Sequence, residues 1–272
     1  MAAETDTPDP TSSLLAFFGS ELRRVRLAEG KSQSETAKLA HTTQAMISYV
    51  ESAKRVPSEE LARDLDLAFG TGGHFGRLYP LVIKFAYPSW FLPFVQFERD
   101  ASSIRSFQPQ VIPGLLQTEE YAREVLASGR PDSLDDLLAA RMTRQDLFER
   151  DTPPRTWFVM DDYALTRAFM PPKIMKGQFQ HLLQAADRPR TVIQVVPRDA
   201  PPHPGLAGPF TLLSFDEGSD VLHVDGYSQG WTVLDAGRIS EAAHAYDLIR
   251  ATALSPRASA DLINTYLKEL AT

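Results

Sequence analysis

Apolar residues recur at helical spacing near the start of the chain. One face of a first predicted helix is apolar and carries Leu14, Phe18, Leu22 and Val25. Ser32 and Glu35 form a capping box that begins a short second helix, and Thr43 caps a third. Ser58 caps a fourth helix, which ends at the glycine-rich segment 70–73. These short helices predict a compact, all-helical domain.

The rest of the chain mixes helical and strand-like patterns. Thr118 and Ser133 are predicted N-caps of helices near 118–128 and 133–150. Strand-like runs follow at 156–160, 191–196, 210–215, 221–224 and 231–234. Further helices are predicted at 172–186, 239–253 and 256–270. This pattern predicts that a larger α+β domain, with a small and mostly antiparallel sheet, follows the all-α domain.

The chain has 272 residues, which exceeds the usual length of one domain. We predict a disordered tail at 1–13, a helical domain at 14–80 and the α+β domain at 81–272. The absence of cysteine excludes disulfides and fits a reducing compartment. No apolar run approaches the roughly 20 residues that span a bilayer, and the first residues lack the basic group of a secretory signal. A cytoplasmic protein without membrane contact is expected.

Charge is distributed unevenly along the chain. The formal net charge is −7, which argues against nonspecific coating of nucleic acid. Residues 14–56 nevertheless carry seven basic side chains against four acidic ones. This asymmetry suits a small DNA-reading module attached to an acidic domain, although a solvated helix surface would carry the same charges.

The second and third predicted helices meet the requirements of a helix-turn-helix. Ala37 lets the helices cross closely, and Ile47 and Val50 supply an apolar inner face on the third helix. The outer face is left for the DNA major groove and carries Gln44, Ala45, Ser48 and Tyr49. Gln44 suits a bidentate contact with adenine, Ala45 suits a thymine methyl group, and Ser48 can donate or accept.

Contacts with the DNA backbone are predicted on both sides of this outer face. Gln33 stands at the start of the second helix, where its amide and the helix N-terminus can face a phosphate. Lys54 and Arg55 follow the third helix and are predicted phosphate contacts. Thr43, the N-cap of the third helix, completes the predicted DNA-binding set.

The stretch SQSETAKLAHTTQAMISYVESAKRVPS resembles the second and third helices of XRE/Cro-like repressors, and the resemblance extends over about 14–70. It implies sequence-specific binding to operator DNA. Two residues depart from the family pattern. His41 stands where glycine is usual, so it must accept a positive φ or reshape the turn. Thr36 replaces a usual leucine, which predicts a less tightly packed core. A helical bundle without a DNA role is the alternative.

Four later stretches resemble the C-terminal domain of WhiJ-like actinobacterial regulators: VIPGLLQTEEYAREVL at 111–126, RMTRQDLFERDTPP at 141–154, GPFTLLSF at 208–215 and ALSPRASADLI at 253–263. The resemblance implies a role in development or antibiotic production. It also implies a small protein partner, encoded by a neighbouring gene in an antitoxin-like arrangement. We further expect a homodimer that forms through the C-terminal part of the chain.

A partner or ligand site is predicted where two of these stretches and the Pro/Gly-rich loop 200–209 could converge. The candidate residues are Gln117, Tyr121, Arg141, Gln145 and His203. Gln117 and Tyr121 stand near a predicted turn that can line a pocket, although the spacing of Leu115, Leu116 and Tyr121 favours simple core residues. Arg141 and Gln145 lie one predicted helical turn apart and could hold an anion, or form a structural or solvated pair.

No pattern typical of catalysis or cofactor binding is present. Asp161 and Asp162 follow a predicted strand, but acids in this position are commonly turn or cap residues. The six histidines lack metal-ligand spacing, and no phosphate loop or nucleophile elbow occurs. We therefore expect a regulator that is not an enzyme and needs no cofactor or metal. A small-molecule sensor and an enzyme with a DNA-binding appendage are the alternatives.

Overall fold

The computed structural model describes residues 8–167, 170–227 and 229–270. The chain divides into two compact units, and each is described by itself. The first contains the chain up to Ser89 together with Leu126–Thr143, and the second contains Trp90–Val125 and the chain from Arg144 onward. Of the predicted tail at 1–13, residues 1–7 lie outside the described residues. Among the described helices, none is long and apolar enough to cross a membrane.

The first unit is helical, as predicted. Its helices are α1 (Leu14–Ala28), α2 (Gln33–Leu39), α3 (Gln44–Glu51), α4 (Glu59–Phe69), α5 (His74–Ala86) and α8 (Leu134–Thr143). The predicted caps are confirmed: Ser32 and Glu35 form the capping box of α2, Thr43 accepts a hydrogen bond from Met46 N, and Ser58 caps α4. The starts of α2, α3 and α4 are therefore each fixed by a side chain within the same turn.

Two backbone features let α1, α2 and α3 pack closely. Gly19 lies in the middle of α1, where a Cβ atom would approach Val50 O to 2.4 Å, so α1 can touch the end of α3 only if this position is glycine. His41, between α2 and α3, has φ of 48°. Of the two alternatives open at this position, a positive φ or a reshaped turn, the structure therefore has the positive φ.

The second unit is built on one sheet of six strands. Its helices are α6 (Leu92–Asp100), α7 (Glu119–Ala127), α9 (Asp162–Thr166), α10 (Pro172–Ala186), α11 (Ala236–Thr252) and α12 (Pro256–Glu269), of which α7 ends in residues of the first unit. Its strands are β1 (Ser103–Gln108), β2 (Arg155–Asp161), β3 (Thr191–Val196), β4 (Phe210–Ser214), β5 (Val221–Val224) and β6 (Trp231–Val233), in the order β3-β2-β1-β4-β5-β6.

The expectation of a small, mostly antiparallel sheet was wrong, because the sheet is large and mixed. Strands β1, β2 and β3 run parallel, whereas β4, β5 and β6 pair in antiparallel fashion. Strand β1 joins the two halves, with Ile104 opposite both Thr156 of β2 and Leu213 of β4. This strand was not predicted, since its sequence SIRSFQ holds few apolar residues.

Helices cover both faces of the sheet. Successive residues point to opposite faces, so Phe158 belongs to one apolar cluster and Val159 to another. The first cluster includes residues of α10 and α12, such as Phe179 and Ile263. The second cluster packs against α11, whose Tyr246 is completely buried. Burial on both faces explains the continuous apolar runs of β2 and β3.

The predicted helix at 133–150 is two elements. Helix α8 ends at Thr143, and Arg144–Glu149 forms a short 3₁₀ helix. The Thr143 hydroxyl donates to Ala139 O and accepts from Val56 N, both at 2.8 Å, so the last residue of α8 joins this helix to the loop before α4.

Thr36 supplies a stability prediction for the first unit. Its side chain is completely buried, and its hydroxyl has no hydrogen-bond partner within the described residues. Thr36→Val keeps the shape and removes this polar group, so the free energy of unfolding should rise by about 1–3 kcal/mol. Urea unfolding of the full chain measures the change.

Thr71→Val is the matched control for this substitution. The Thr71 hydroxyl donates to the Asp66 carboxylate, so its removal should lower the stability of the same unit. A lower or unchanged free energy of unfolding for Thr36→Val would contradict the prediction.

Candidate nucleic-acid interface and second-unit cavity

Helix α3 has the two faces that the sequence predicted. Ile47 and Val50 are completely buried. The side chains expected to meet the major groove lie on the other face: Gln44, Ala45 and Tyr49 are exposed and Ser48 is half-buried. Thr43 is engaged as the N-cap, with its hydroxyl 3.1 Å from Met46 N. The start of α3 thus presents short and flexible side chains to the surface while its opposite face is fixed in the core.

A chain of polar side chains runs from the buried side of α1 to the exposed start of α3. Arg26 and Glu51 are 8% and 5% exposed and form a two-pronged ion pair, with Nη2 to Oε2 at 2.9 Å. Gln33 Nε2 donates to the same Glu51 oxygen at 2.8 Å. Gln33 Oε1 accepts from Gln44 Nε2, also at 2.8 Å. Gln44 is therefore held in one orientation before any DNA is bound.

This arrangement gives Gln33 a position that differs from the sequence prediction. Its amide was expected to face a backbone phosphate, but both ends of the amide are engaged, one by Glu51 and one by Gln44. Gln33 is thus a positioning residue in this structure, and its phosphate contact stays a prediction. The Gln44 amide oxygen makes no hydrogen bond to the described part of the chain, so it remains available to a base.

The loop after α3 places two cations beside Tyr49. The Arg55 guanidinium lies 4.9 Å from the centre of the Tyr49 ring and donates to Lys54 O at 2.9 Å. Lys54 is exposed. A cation over an aromatic face has a defined position, so the predicted phosphate contacts Lys54 and Arg55 border the outer face of α3.

In the second unit, the segment 111–118 is fixed by buried amides and a buried phenol. Gln117 is 1% exposed and donates to Ile112 O at 2.7 Å, and the Tyr121 hydroxyl accepts from Ile112 N at 3.3 Å. Gln145 Nε2 donates to Gln117 O at 2.7 Å. Gln178 of α10 donates to Leu116 O at 2.6 Å. This turn is therefore held together by Gln117, Tyr121 and Gln145. Because Gln117 and Tyr121 are buried, a partner could contact them only if the turn opened.

Arg141 and Gln145 do not share a helix. Arg141 lies in α8, which belongs to the first unit, whereas Gln145 lies in the 3₁₀ helix at the start of the second unit's later segment. The one-turn spacing on which their pairing was predicted assumed a continuous helix at 133–150. Because that helix ends at Thr143, the structure gives no support to an anion site made by this pair.

His203 lines a cavity of about 600 Å³ in the second unit. The cavity lies at the carboxyl ends of the parallel strands β2 and β3, where Asp161–Arg167 and Pro197–Arg198 leave the sheet. The loop residues 200–203 and Leu206 form another wall. Its lining, as far as the chain is described, includes nothing from 111–126 or 141–154. The loop 200–209 thus meets the strand ends instead of the two segments with which it was expected to converge.

Asp162 is a buried carboxylate at the base of this cavity. It is 2% exposed and accepts hydrogen bonds from Arg198 Nε at 3.1 Å and from the Tyr266 hydroxyl of α12. Burial, and then the hydrogen bond to Asp162, raise the pKa of Tyr266 to about 12. Tyr266 consequently keeps its proton at neutral pH and stays a donor to this carboxylate.

Sequence reasoning missed the groups that orient these sites. Arg26 follows Leu22 by one helical turn, and Glu51 follows Ile47 by one turn, so both charges occupy inner faces. A charge at a core position indicates a buried partner, and this signal was present in the sequence. The pairing of Asp162 with Arg198 and Tyr266 spans distant segments and left no comparable signal.

Comparison with known families agrees with these two units. A family model described as a helix-turn-helix domain matches residues 18–74, which include most of α1 and all of α2, α3 and α4. The chain therefore contains a helix-turn-helix domain, which supports a DNA-binding regulator. A second model, described as a domain of unknown function (DUF5753), matches residues 91–265. Since this match covers more than half of the chain, the protein belongs to the DUF5753 family. No curated protein and no solved structure matches the chain.

The buried ion pair supplies the second prediction. Glu51→Ala leaves the Arg26 guanidinium buried without its carboxylate, so the free energy of unfolding should fall by about 3–5 kcal/mol. Arg63→Ala is the control, because its contact with Glu60 is exposed on both sides and its loss should cost less than about 1 kcal/mol. Equal effects of the two variants in urea unfolding would rule out the role given to Glu51.

Proposed function

We propose that this protein is a transcription regulator that reads a specific operator through the outer face of α3. The observation that carries the proposal is the hydrogen bond from Gln44 to Gln33, since it orients a side chain suited to adenine at the exposed start of the helix. Ala45 and Ser48 lie beside it and extend the surface that meets base edges. Lys54 and Arg55 supply contacts with phosphates, which fix the position of α3 on the duplex.

The proposal includes a homodimer that forms through the second unit. Helix-turn-helix proteins commonly bind two half-sites one helical turn of DNA apart, and a dimer supplies the two recognition helices. One half-site contact gives weak binding, so joining two through a dimer raises affinity without new contacts with DNA. The operator would then be an approximate palindrome.

The second unit is proposed to receive the signal that controls DNA binding. The four stretches that resemble WhiJ-like regulators favour a small protein partner in an antitoxin-like arrangement. A catalytic role is not proposed. The carboxylates of Asp161 and Asp162, the pair considered for acid–base chemistry, accept hydrogen bonds from Tyr163 N and from Arg198, respectively. Both carboxylates therefore take part in hydrogen bonds that stabilise the fold.

A small-molecule sensor is the second candidate function, and the cavity beside His203 is the observation that favours it. Its volume of about 600 Å³ falls within the range of small-molecule sites. It also lies at the carboxyl ends of parallel strands, where open α/β sheets commonly bind ligands.

Gln44 provides the test of sequence-specific DNA reading. Gln44→Ala should weaken binding by roughly 1–3 kcal/mol and relax the preference at one base position, because a bidentate base contact is lost. Lys54→Gln should weaken binding to all DNA sequences alike. It should also reduce the number of ions released on binding, measured from the salt dependence of affinity, by about one. Selection from random duplexes, followed by titration of the selected site, measures both effects. Gln180→Ala, on an exposed position of α10, is the control. Selection that enriches no motif would refute the proposal.

The partner proposal is tested with the protein that the neighbouring gene encodes. It should co-purify with the full chain and change operator affinity by about 1–3 kcal/mol, the usual range for coupled sites. His203→Ala should lower this coupling without changing DNA binding by the free regulator. His244→Ala, an exposed histidine of α11, is the matched control. If the partner neither associates nor alters DNA affinity, the protein-partner proposal fails and the small-molecule sensor takes its place.

A further inference from the structure

The cavity of the second unit has walls that are formed before any ligand binds. Strands β2 and β3 end side by side, and the chain leaves them in different directions, into α9 and into the loop after Val196. This divergence creates a crevice between neighbouring parallel strands. Opposite the strand ends, Pro201 and Pro202 restrict the backbone of the loop.

The loop wall is anchored on a buried aromatic ring. Gly205 packs so closely on Phe107 that a Cβ atom there would lie 2.4 Å from the ring. The His203 ring makes an edge-on contact with the same ring, at 5.8 Å between centroids. Phe107 is itself completely buried in the sheet. The loop is therefore held in place by the core, which keeps the cavity open.

The cavity exposes apolar surface that its own fold does not cover. Leu206 is 74% exposed and Tyr163 is 50% exposed, and both line the cavity together with the prolines. Large apolar side chains grouped at a concave surface commonly mark a binding site. A ligand with an apolar body would bury them.

Among the charged groups of the cavity, the two arginines are more exposed than the two carboxylates. Asp161 accepts a hydrogen bond from Tyr163 N at 2.9 Å, and Asp162 accepts from Arg198 and from the Tyr266 hydroxyl, so both carboxylates are engaged by the protein. Arg198 directs Nε and Nη2 to one oxygen of Asp162, yet its side chain is 74% exposed. A guanidinium has five N–H groups, so Arg198 retains donors for a ligand.

A second guanidinium borders the same space. Arg167 lies with its Cζ 5.4 Å from the centre of the Tyr163 ring, and both side chains line the cavity. A guanidinium placed against an aromatic face has a defined position, so the Arg167 cation borders the cavity at a fixed place.

We propose that this cavity binds a small organic anion. The carboxylate or phosphate group of the ligand contacts Arg198 and Arg167, and its apolar body packs on Tyr163 and Leu206. Asp162 and Tyr266 are positioning residues, because they fix the guanidinium of Arg198 without meeting the ligand. The link from this site to DNA affinity rests on the proposed function, whereas ligand binding itself does not.

Four compounds of similar size test the charge requirement by calorimetry on the full chain at constant ionic strength. Benzoate and phenyl phosphate carry the two candidate anionic groups, benzamide is neutral and benzamidinium is cationic. The better of the two anions should bind at least about tenfold more tightly than benzamide, because charge-assisted hydrogen bonds are lost in the neutral compound. The preferred anion identifies the chemical group of the ligand. Equal binding of benzamide, stronger binding of benzamidinium, or no binding by either anion would overturn the proposal.

Variants at the two arginines test the location of the site. Arg167→Gln and Arg198→Gln should each weaken binding of the preferred anion by about tenfold. Arg257→Gln removes an exposed arginine of α12 outside the cavity and should leave binding unchanged. Arg198→Gln leaves Asp162 without its cation, so Arg167→Gln is the decisive variant if Arg198→Gln lowers the unfolding temperature. Full affinity in Arg167→Gln would place the ligand elsewhere and refute the proposal.

A separate titration with selected operator DNA measures the link to regulation. The preferred anion should shift the operator affinity of the wild-type chain and leave that of Arg167→Gln unchanged. Anion binding without any shift would overturn the link and leave the site intact. Loss of operator binding by the ligand-free chain would instead count against the proposed DNA-reading function.

Discussion

The recognition surface depends on one buried ion pair, Arg26 with Glu51. Burying two charges costs several kcal/mol, and an apolar pair of similar volume often gives equal stability. This ion pair instead fixes the orientation of neighbouring groups, because Arg26 also donates to Lys31 O at 2.9 Å and Glu51 also accepts from Gln33. These contacts join α1, the loop before α2, and α3. The orientation of Gln44 at the surface is thereby set by a charge in the core.

The elements of the first unit could be predicted because their signals are local. Ser32 with Glu35, and Thr43 with Met46, act within one turn, and the burial of Ile47 follows from helical spacing. The contacts that orient Gln44 join residues 11 to 25 positions apart. No local rule gives those partners. A sequence therefore shows which helix faces DNA more readily than it shows how that face is held.

In the second unit, most strands could be predicted and their pairing could not. Strand β1 lies at the centre of the sheet, yet its sequence has the polar composition of a loop, and without it the parallel half of the sheet cannot be recognised. The same limit applies to the cavity. The loop 200–209 was singled out by composition, but Asp162, Arg198 and Tyr266 meet only because β2, β3 and α12 bring them together.

Both units place a carboxylate in the core and use it to fix a polar group at the surface. In the first, Glu51 faces the buried Arg26, so this cation is not accessible at the surface. The group presented outward is the Gln44 amide, which suits a neutral base edge. In the second, Asp162 is buried but Arg198 is mostly exposed, so the group presented outward is the cation itself. The depth of the arginine, more than the presence of an ion pair, therefore decides which chemistry each surface offers. A guanidinium held only from its inner edge attracts anions, whereas one enclosed on all sides acts on a ligand solely through the neighbours that it orients.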